Sequence, residues 1–139
     1  ATCLEFRGVL VRPAAAVADW RTEPVTSKLK KADGAPTLKL LRNPDILLEV
    51  ARPGPGRPGL VVGFAAETDA VLDNARAKLL AKGCDWIVAN DVSPASGIMG
   101  GTENEVTVLR ADGATPWPRM AKDQVARRLA AEIAEALAG

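Results

Sequence analysis

The chain has 139 residues, the usual size of one domain, so a single buried core is expected. Its 18 Lys and Arg balance 17 Asp and Glu to a net charge of +1, which gives no electrostatic reason to expect nucleic acid or a membrane surface as partner. With no His and only 2 Cys, the composition excludes histidine metal sites, Ser-His-Asp and Cys-His nucleophile systems, imidazole bases and a disulfide framework.

Short β-branched runs alternate with longer alanine-rich ones, the pattern of βα units around a mostly parallel sheet. GVLVR at 8–12 is the first strand, and Pro13, which lacks an N–H, belongs at its end. AAAVADW at 14–20 is small and apolar and suits a loop that approaches a ligand closely. Residues 21–36 are polar, basic in the middle and carry Pro24 and Pro36, with no apolar stripe to hold them down; they are expected to form a mobile flap.

Residues 37–41 read as a short strand. Asn43-Pro44-Asp45 then starts a helix over 44–52, with Asn as N-cap, Pro at the first helical position and an acid in the first turn. RPGPGRPG at 52–59 holds Gly54, Gly56 and Gly59 in G-x-G-x-x-G spacing. A dinucleotide fingerprint follows a strand and opens a helix, whereas this run precedes the strand LVVGF at 60–64, so it is a connector.

Thr68 is expected to cap a helix over 69–82, with Val71, Leu72, Ala75 and Leu79 on one face, Lys78 and Lys82 together on another, and Gly83 as the stop. WIVA at 86–89 is a further buried strand, followed by Asn90-Asp91-Val92-Ser93 and a glycine-bearing loop at 96–101. EVTVLR at 105–110 alternates like a half-buried antiparallel strand, Asp112-Gly113 makes a hairpin turn, and 115–117 return. Val125, Leu129, Ile133 and Leu137 recur every four residues on a final amphipathic helix ended by Gly139. No run of about 18 apolar residues and no charged leader pattern occurs, so the expectation is a soluble, cytoplasmic protein. The chain opens at Ala1 without Met and reaches a strand-like run almost at once, which suggests a segment upstream.

In an open α/β sheet, ligands bind beyond the carboxyl ends of the strands. Asp19, the cluster Asn43 to Ile46, Phe64 to Thr68 and Asn90 to Ser93 each follow a strand, so all four polar clusters are expected on one rim. Three features suit a phosphate-bearing ligand: the helix start at Pro44, the flap lysines Lys28, Lys30 and Lys31, and the pair Lys78 and Lys82 one helical turn apart. Each also has a purely structural reading. Asn-Pro-Asp is a capping device, lysine runs form solvated faces, Asp19 and Asp91 can cap turns, Phe64 can be core, and Cys84 can be a small buried hydrophobe with no redox role.

Taken in order, AAAVADW at 14–20, SKLKK at 27–31, LKLLRNPDIL at 38–47, VVGFAAET at 61–68, ARAKLLAK at 75–82, IVANDVS at 87–93 and NEVTVL at 104–109 resemble the synthetase domain of the bacterial bifunctional phosphopantothenoylcysteine decarboxylase/synthetase family, the phosphopantothenate–cysteine ligase of coenzyme A biosynthesis. The resemblance implies a Rossmann-like α/β domain, its mostly parallel sheet flanked by helices and closed by the C-terminal antiparallel hairpin. It also implies a CTP- and Mg²⁺-dependent condensation of 4′-phosphopantothenate with cysteine. The substrate carboxylate attacks the α-phosphate of CTP to give an acyl-cytidylate, and the amine of cysteine displaces CMP. Such chemistry needs charge neutralisation and alignment more than a side-chain nucleophile.

Carried onto this chain, the resemblance implies CTP contacts from Ala14, Ala15 and Asp19, from Pro44, Asp45, Ile46 and Leu47, from Phe64, and from Lys78 and Lys82. Lys28 matches the lysine that opens the family's flap and takes the catalytic role of neutralising phosphate charge; Glu67, Asn90 and Asp91 match motifs without an assigned role. The metal ligands are left unassigned. A homodimer and an upstream FMN-dependent decarboxylase domain are the implied partners. The family's Gly-Gly-Thr turn and its Asn-x-Ser-Ser-Gly-Lys loop are not in this sequence, and Pro13 replaces a small or apolar residue. The chain is therefore read as the CTP-side portion of a larger enzyme. The alternative is a non-catalytic module that holds a cytidine nucleotide or a partner subunit; a generic nucleotide or flavin domain is disfavoured by the misplaced glycines.

Overall fold

The computed structural model describes residues 4–6, 9–11, 18–24, 37–98 and 100–139, the first two stretches as backbone only. Cys3, Pro13, Ala14, Ala15, Lys28, Lys30, Lys31 and flap residues 25–36 lie outside the described residues.

The core is a six-stranded sheet in the order β1-β2-β5-β6-β8-β9. Its centre is β5 (Leu60–Glu67), flanked in parallel by β2 (Val9–Val11) and β6 (Trp86–Asp91). β1 (Leu4–Phe6) runs antiparallel to β2 at one edge; β8 (Val106–Arg110) and β9 (Gly113–Pro116) add antiparallel strands at the other. The expected mostly parallel, Rossmann-like sheet is thus corrected to a mixed one, two parallel pairings against three antiparallel. The cause lies in the connections. A parallel return needs a crossover, and α2 (Val71–Lys82) supplies one between β5 and β6, but the described residues of the link from β6 to β8 form only a 3-10 turn at Pro94–Ser96 and the short β7 (Glu103–Asn104). With no helix to carry it across, the chain folds back antiparallel. The C-terminal hairpin β8–β9 forms as expected, closing across Arg110 and Gly113.

Alternation along β5 builds two cores. Val61 and Ala65, with Ile87 and Ala89 of β6, face α1 (Ile46–Ala51) and α2 through Leu47, Ala51, Ala75 and Leu79. Leu60 and Val62, with Trp86, Val88, Val106 and Val108, face α3 (Lys122–Ala138) through Val125 and Leu129. Strands buried on both faces read as unbroken apolar runs, which is why LVVGF and WIVA stand out in the sequence. Leu72 and Leu137 fall on the solvent side of their helices instead of the expected apolar faces. Gly63 is fitted to the first core: a Cβ there would lie 2.7 Å from Leu47 Cδ2 and 2.8 Å from Ile87 Cδ1, so the glycine lets α1 sit directly on β5.

Several helix boundaries differ from expectation. Asp45, not Asn43, is the N-cap of α1, its carboxylate accepting the Leu48 N–H at 3.1 Å. Asn43 instead ties two strands together, as described below. Thr68 does not cap α2; the cap position is Ala70, in the left-handed region at φ 41°, while the Asn74 amide donates to the Asp69 carbonyl. Gly83 ends α2 as expected, left-handed at φ 68°, its N–H donating to the Leu79 carbonyl.

Cys84 is buried beside that stop, and burial pushes its thiol from an ordinary 9.0 up to about 11. An acid whose folded value is raised keeps its proton longer in the native state, so the unfolded chain ionises first and stability falls between pH 9 and 11, by at most ~3 kcal/mol. Urea unfolding of wild type and Cys84→Ala is expected to show the wild-type advantage shrinking as the pH is raised from 8 to 10.5; a constant difference would refute it.

Candidate functional site

Residues 63–67 of β5 run on past the last described β2 pairing, Val11 with Val62. Beside this stretch lies a separate two-stranded ribbon, β3 (Trp20–Thr22) antiparallel to β4 (Leu40–Arg42). Residues 21–22, expected in the flap, and residues 40–41, expected in a main-sheet strand, therefore belong to this ribbon. Its end is knotted by Asn43. The Asn43 N–H donates to the Asp19 carbonyl at 2.8 Å and its side-chain amide to the Ala18 carbonyl at 2.7 Å. Arg21 Nη1 donates to both the Arg42 carbonyl and Asn43 Oδ1. The knot lets Pro44 and Asp45 follow the ribbon directly into α1.

Ribbon, α1, β5 and α2 together enclose an open cavity of ≈ 340 Å³. Of the residues singled out from the sequence, Asp19, Pro44, Asp45, Leu47, Phe64, Lys78 and Lys82 all line it. Ile46 opens α1 half-buried without being part of the lining, and Ala14, Ala15 and Lys28 lie outside the described residues. Trp20 and Arg42 line the cavity too, and the sequence offered no sign of it: they are direct partners across the β3–β4 ribbon, twenty-odd positions apart in the chain.

The expectation of four clusters on one sheet rim is corrected in part. The Pro44-Asp45 cluster follows a ribbon strand and not a sheet strand, and Asn90 and Asp91 end β6 on the same rim as Glu67 without lining the cavity. Asp91 has a local task. Hydrogen bonding from the Ser93 side chain, and then from the Ser93 N–H at 2.8 Å, holds its carboxyl below the usual carboxylate range, and its carbonyl accepts from Ser96 Oγ.

Electrostatically the cavity sets three cations, Arg42, Lys78 and Lys82, against two lining carboxylates, Asp19 and Asp45. Both lysines are paired: Lys82 Nζ meets Asp45 Oδ2, and Lys78 Nζ meets Glu67 Oε1 at 3.4 Å. Because Asp45 also accepts the Leu48 N–H, and α1 has only six residues, the start of this helix is occupied by its own carboxylate. The positive charge on the cavity wall is therefore carried by the side chains of Arg42, Lys78 and Lys82 and not by free backbone N–H groups. Among the described residues no group of three His, Cys, Asp or Glu side chains is placed to hold a metal ion, and no helix is long and apolar enough to cross a membrane.

A family model described as the DNA/pantothenate metabolism flavoprotein C-terminal domain matches residues 7–137. The chain belongs to this family. Within it, the coenzyme A biosynthesis bifunctional protein CoaBC of Bacillus subtilis is 42% identical over 127 residues, covering 90% of this chain and 31% of that protein. The CoaBC protein of Mycobacterium tuberculosis is 43% identical over 137 residues, covering 91% and 32%. The flavoprotein-family chain thus spans about a third of the length of these curated relatives. A crystal structure of the C-terminal domain of a CoaBC protein superposes with a TM-score of 0.65 at 34% identity, over 88% of this chain and 52% of that one. A second structure, the DNA/pantothenate metabolism flavoprotein from Streptococcus pneumoniae, gives a TM-score of 0.59 at 21% identity, over 87% and 57%, and shares the fold. Family membership supports the sequence resemblance and sets the domain in a group whose named members act in coenzyme A biosynthesis.

Proposed function

We propose that this domain is the CTP-side part of a phosphopantothenate–cysteine ligase of coenzyme A biosynthesis. The observation that carries the reading is the convergence of Asp19, the Pro44-Asp45 turn, Phe64 and the pair Lys78 and Lys82, from four separate stretches of chain, on one cavity. The lysines and Arg42 supply positive charge for a triphosphate, and the side chain of Leu47 together with the β5 segment at Phe64 supplies apolar wall for the nucleoside.

In the proposed reaction the carboxylate of 4′-phosphopantothenate forms a bond to the α-phosphorus of CTP as the bond to the departing pyrophosphate breaks. The amine of cysteine then bonds to the acyl carbon, CMP leaves, and the amine proton passes to solvent. The protein's share is alignment and charge neutralisation, which suits a cavity whose described lining holds cations and no Ser, Thr or Cys. Lys28 is assigned the role of neutralising phosphate charge from the flap, and Ala14 and Ala15 nucleotide contacts. Mg²⁺ is the metal this reading implies; among the described residues no group of three His, Cys, Asp or Glu side chains is placed to hold it. Decarboxylation and FMN belong, in this proposal, to an upstream domain, and the working unit is a homodimer.

Calorimetric titration with CTP and ATP tests the reading. CTP is expected to bind about tenfold more tightly or better, because a base-specific pocket and not a general phosphate cradle is being filled. Equal or reversed affinities would overturn it.

A further inference from the structure

We propose that Glu67 is a positioning residue: its carboxylate holds the Lys78 ammonium at the cavity wall, so that the lysine meets an incoming phosphate already placed. The inference rests on the nucleotide reading given above and adds a residue to which neither the sequence motif nor the cavity lining assigns a task.

Glu67 is the last residue of β5, and its backbone is fixed to β6 and the residue that follows it. It pairs in register with Asp91 of β6, and its carbonyl accepts the Val92 N–H at 2.9 Å. Odd-numbered residues of β5 face α1 and α2, as Val61 and Ala65 show, so the Glu67 side chain emerges under α2. There its Oε1 accepts from Lys78 Nζ at 3.4 Å, with the two side chains only 20% and 34% exposed. The neighbouring carboxylate, Asp91, is turned onto Ser93, which leaves Glu67 as the described partner of Lys78.

The two tethers in the cavity are not equivalent. Asp45 holds Lys82 but also caps α1, so removing it disturbs the fold and the site together. Among the described residues the Glu67 side chain makes its one recorded bond to Lys78, so its substitution isolates the tether. A lysine has several rotatable bonds and loses that freedom when it grips a phosphate; a partner that fixes it beforehand removes part of the loss. An ammonium has three N–H groups, so it can stay on Glu67 with one and reach phosphate with another. Against this stands the carboxylate's own negative charge, which opposes an anionic ligand. Glutamine separates the effects: it keeps an acceptor oxygen and loses the charge, whereas alanine loses both.

Binding of CTP and of inorganic triphosphate should therefore be measured on the complete protein carrying Glu67, Glu67→Gln or Glu67→Ala. The expected order is non-monotonic. Glu67→Gln binds both probes as tightly as wild type or up to about fivefold more tightly, and Glu67→Ala binds both about fivefold more weakly. Thermal melting of the three is expected to agree within a few degrees. If Glu67→Ala binds as tightly as Glu67→Gln, the residue is only an opposing charge and the proposal falls. If both variants lose affinity alike, or neither changes, it falls as well. Wild type that binds neither probe would instead overturn the nucleotide reading itself, and the inference with it.

Discussion

Arg57→Ala is expected to lower the stability of the domain by about 2–4 kcal/mol, although the residue sits in a Pro/Gly connector with no regular structure. The reason is a single guanidinium that bonds four separate groups. Nε donates to the carbonyl of Ala51 at the end of α1, Nη1 to the Pro58 carbonyl, and Nη2 to the Gly83 carbonyl at the end of α2 and to Asp85 Oδ2 at 2.9 Å. Asp85 Oδ2 in turn accepts the Val61 N–H at 2.7 Å, and the Asp85 N–H returns to the Val61 carbonyl. One side chain thus fastens the ends of both helices of one layer to the first residues of the central strand.

Alanine would strip two helix-terminal carbonyls of their partner and leave Asp85 part-buried without its cation. The Arg57 side chain is 21% exposed and that of Asp85 36%, so the ion pair alone is worth little; the loss lies in the orphaned acceptors. Arg57→Lys should recover less than half, because an ammonium on a flexible stem cannot reproduce the fork. Chemical denaturation is the measurement: the midpoint should drop sharply with the slope unchanged. A shift under ~0.5 kcal/mol would show that water replaces the guanidinium at little cost.

Arg57 also marks where reading the sequence runs out. Elements driven by one stretch of chain were legible: the apolar runs of β5 and β6, the four-residue period of α3, the Gly83 stop and the β8–β9 hairpin each carry their cause locally. Elements settled by a distant partner were not. The strand signal around residue 40 was real, but nothing within it says that its partner is Trp20–Thr22 and not the main sheet. Asn43 has the chemistry of an N-cap, yet the stronger demand comes from Arg21 and Ala18, so the cap passes to Asp45. Ala70 in a left-handed conformation has no local signature, since alanine disfavours it; the turn between β5 and α2 imposes it. The candidate site follows the same division. Asp45, Phe64, Lys78 and Lys82 were found because motif and chemistry agree residue by residue, whereas Arg42 and Trp20 reach the cavity only through ribbon register.

Lys82→Ala is expected to reduce kcat/KM for the proposed ligation about 100-fold or more while changing stability by under ~1 kcal/mol. The two numbers come from different environments of one ammonium. In the structure Lys82 is paired with Asp45, the side chains 26% and 34% exposed, and such a part-exposed pair contributes little to stability because the cation exchanges it for water. Asp45 keeps its bond to the Leu48 N–H whether or not the lysine is there, so the cap of α1 survives. With a triphosphate in the cavity the balance reverses. The variant then loses a charge-assisted bond to the phosphates and the share of the Asp45 charge that Lys82 offsets. The pairing supplies the control: adding Asp45→Asn to Lys82→Ala removes the Asp45 charge, keeps an oxygen for the Leu48 N–H, and is expected to restore about tenfold of the loss. Steady-state kinetics of the complete protein, set beside thermal melts of each variant, decide the matter. Loss of activity in proportion to loss of stability would make Lys82 a structural residue, and the absence of any recovery in the double variant would show that Asp45 and the phosphates never approach each other.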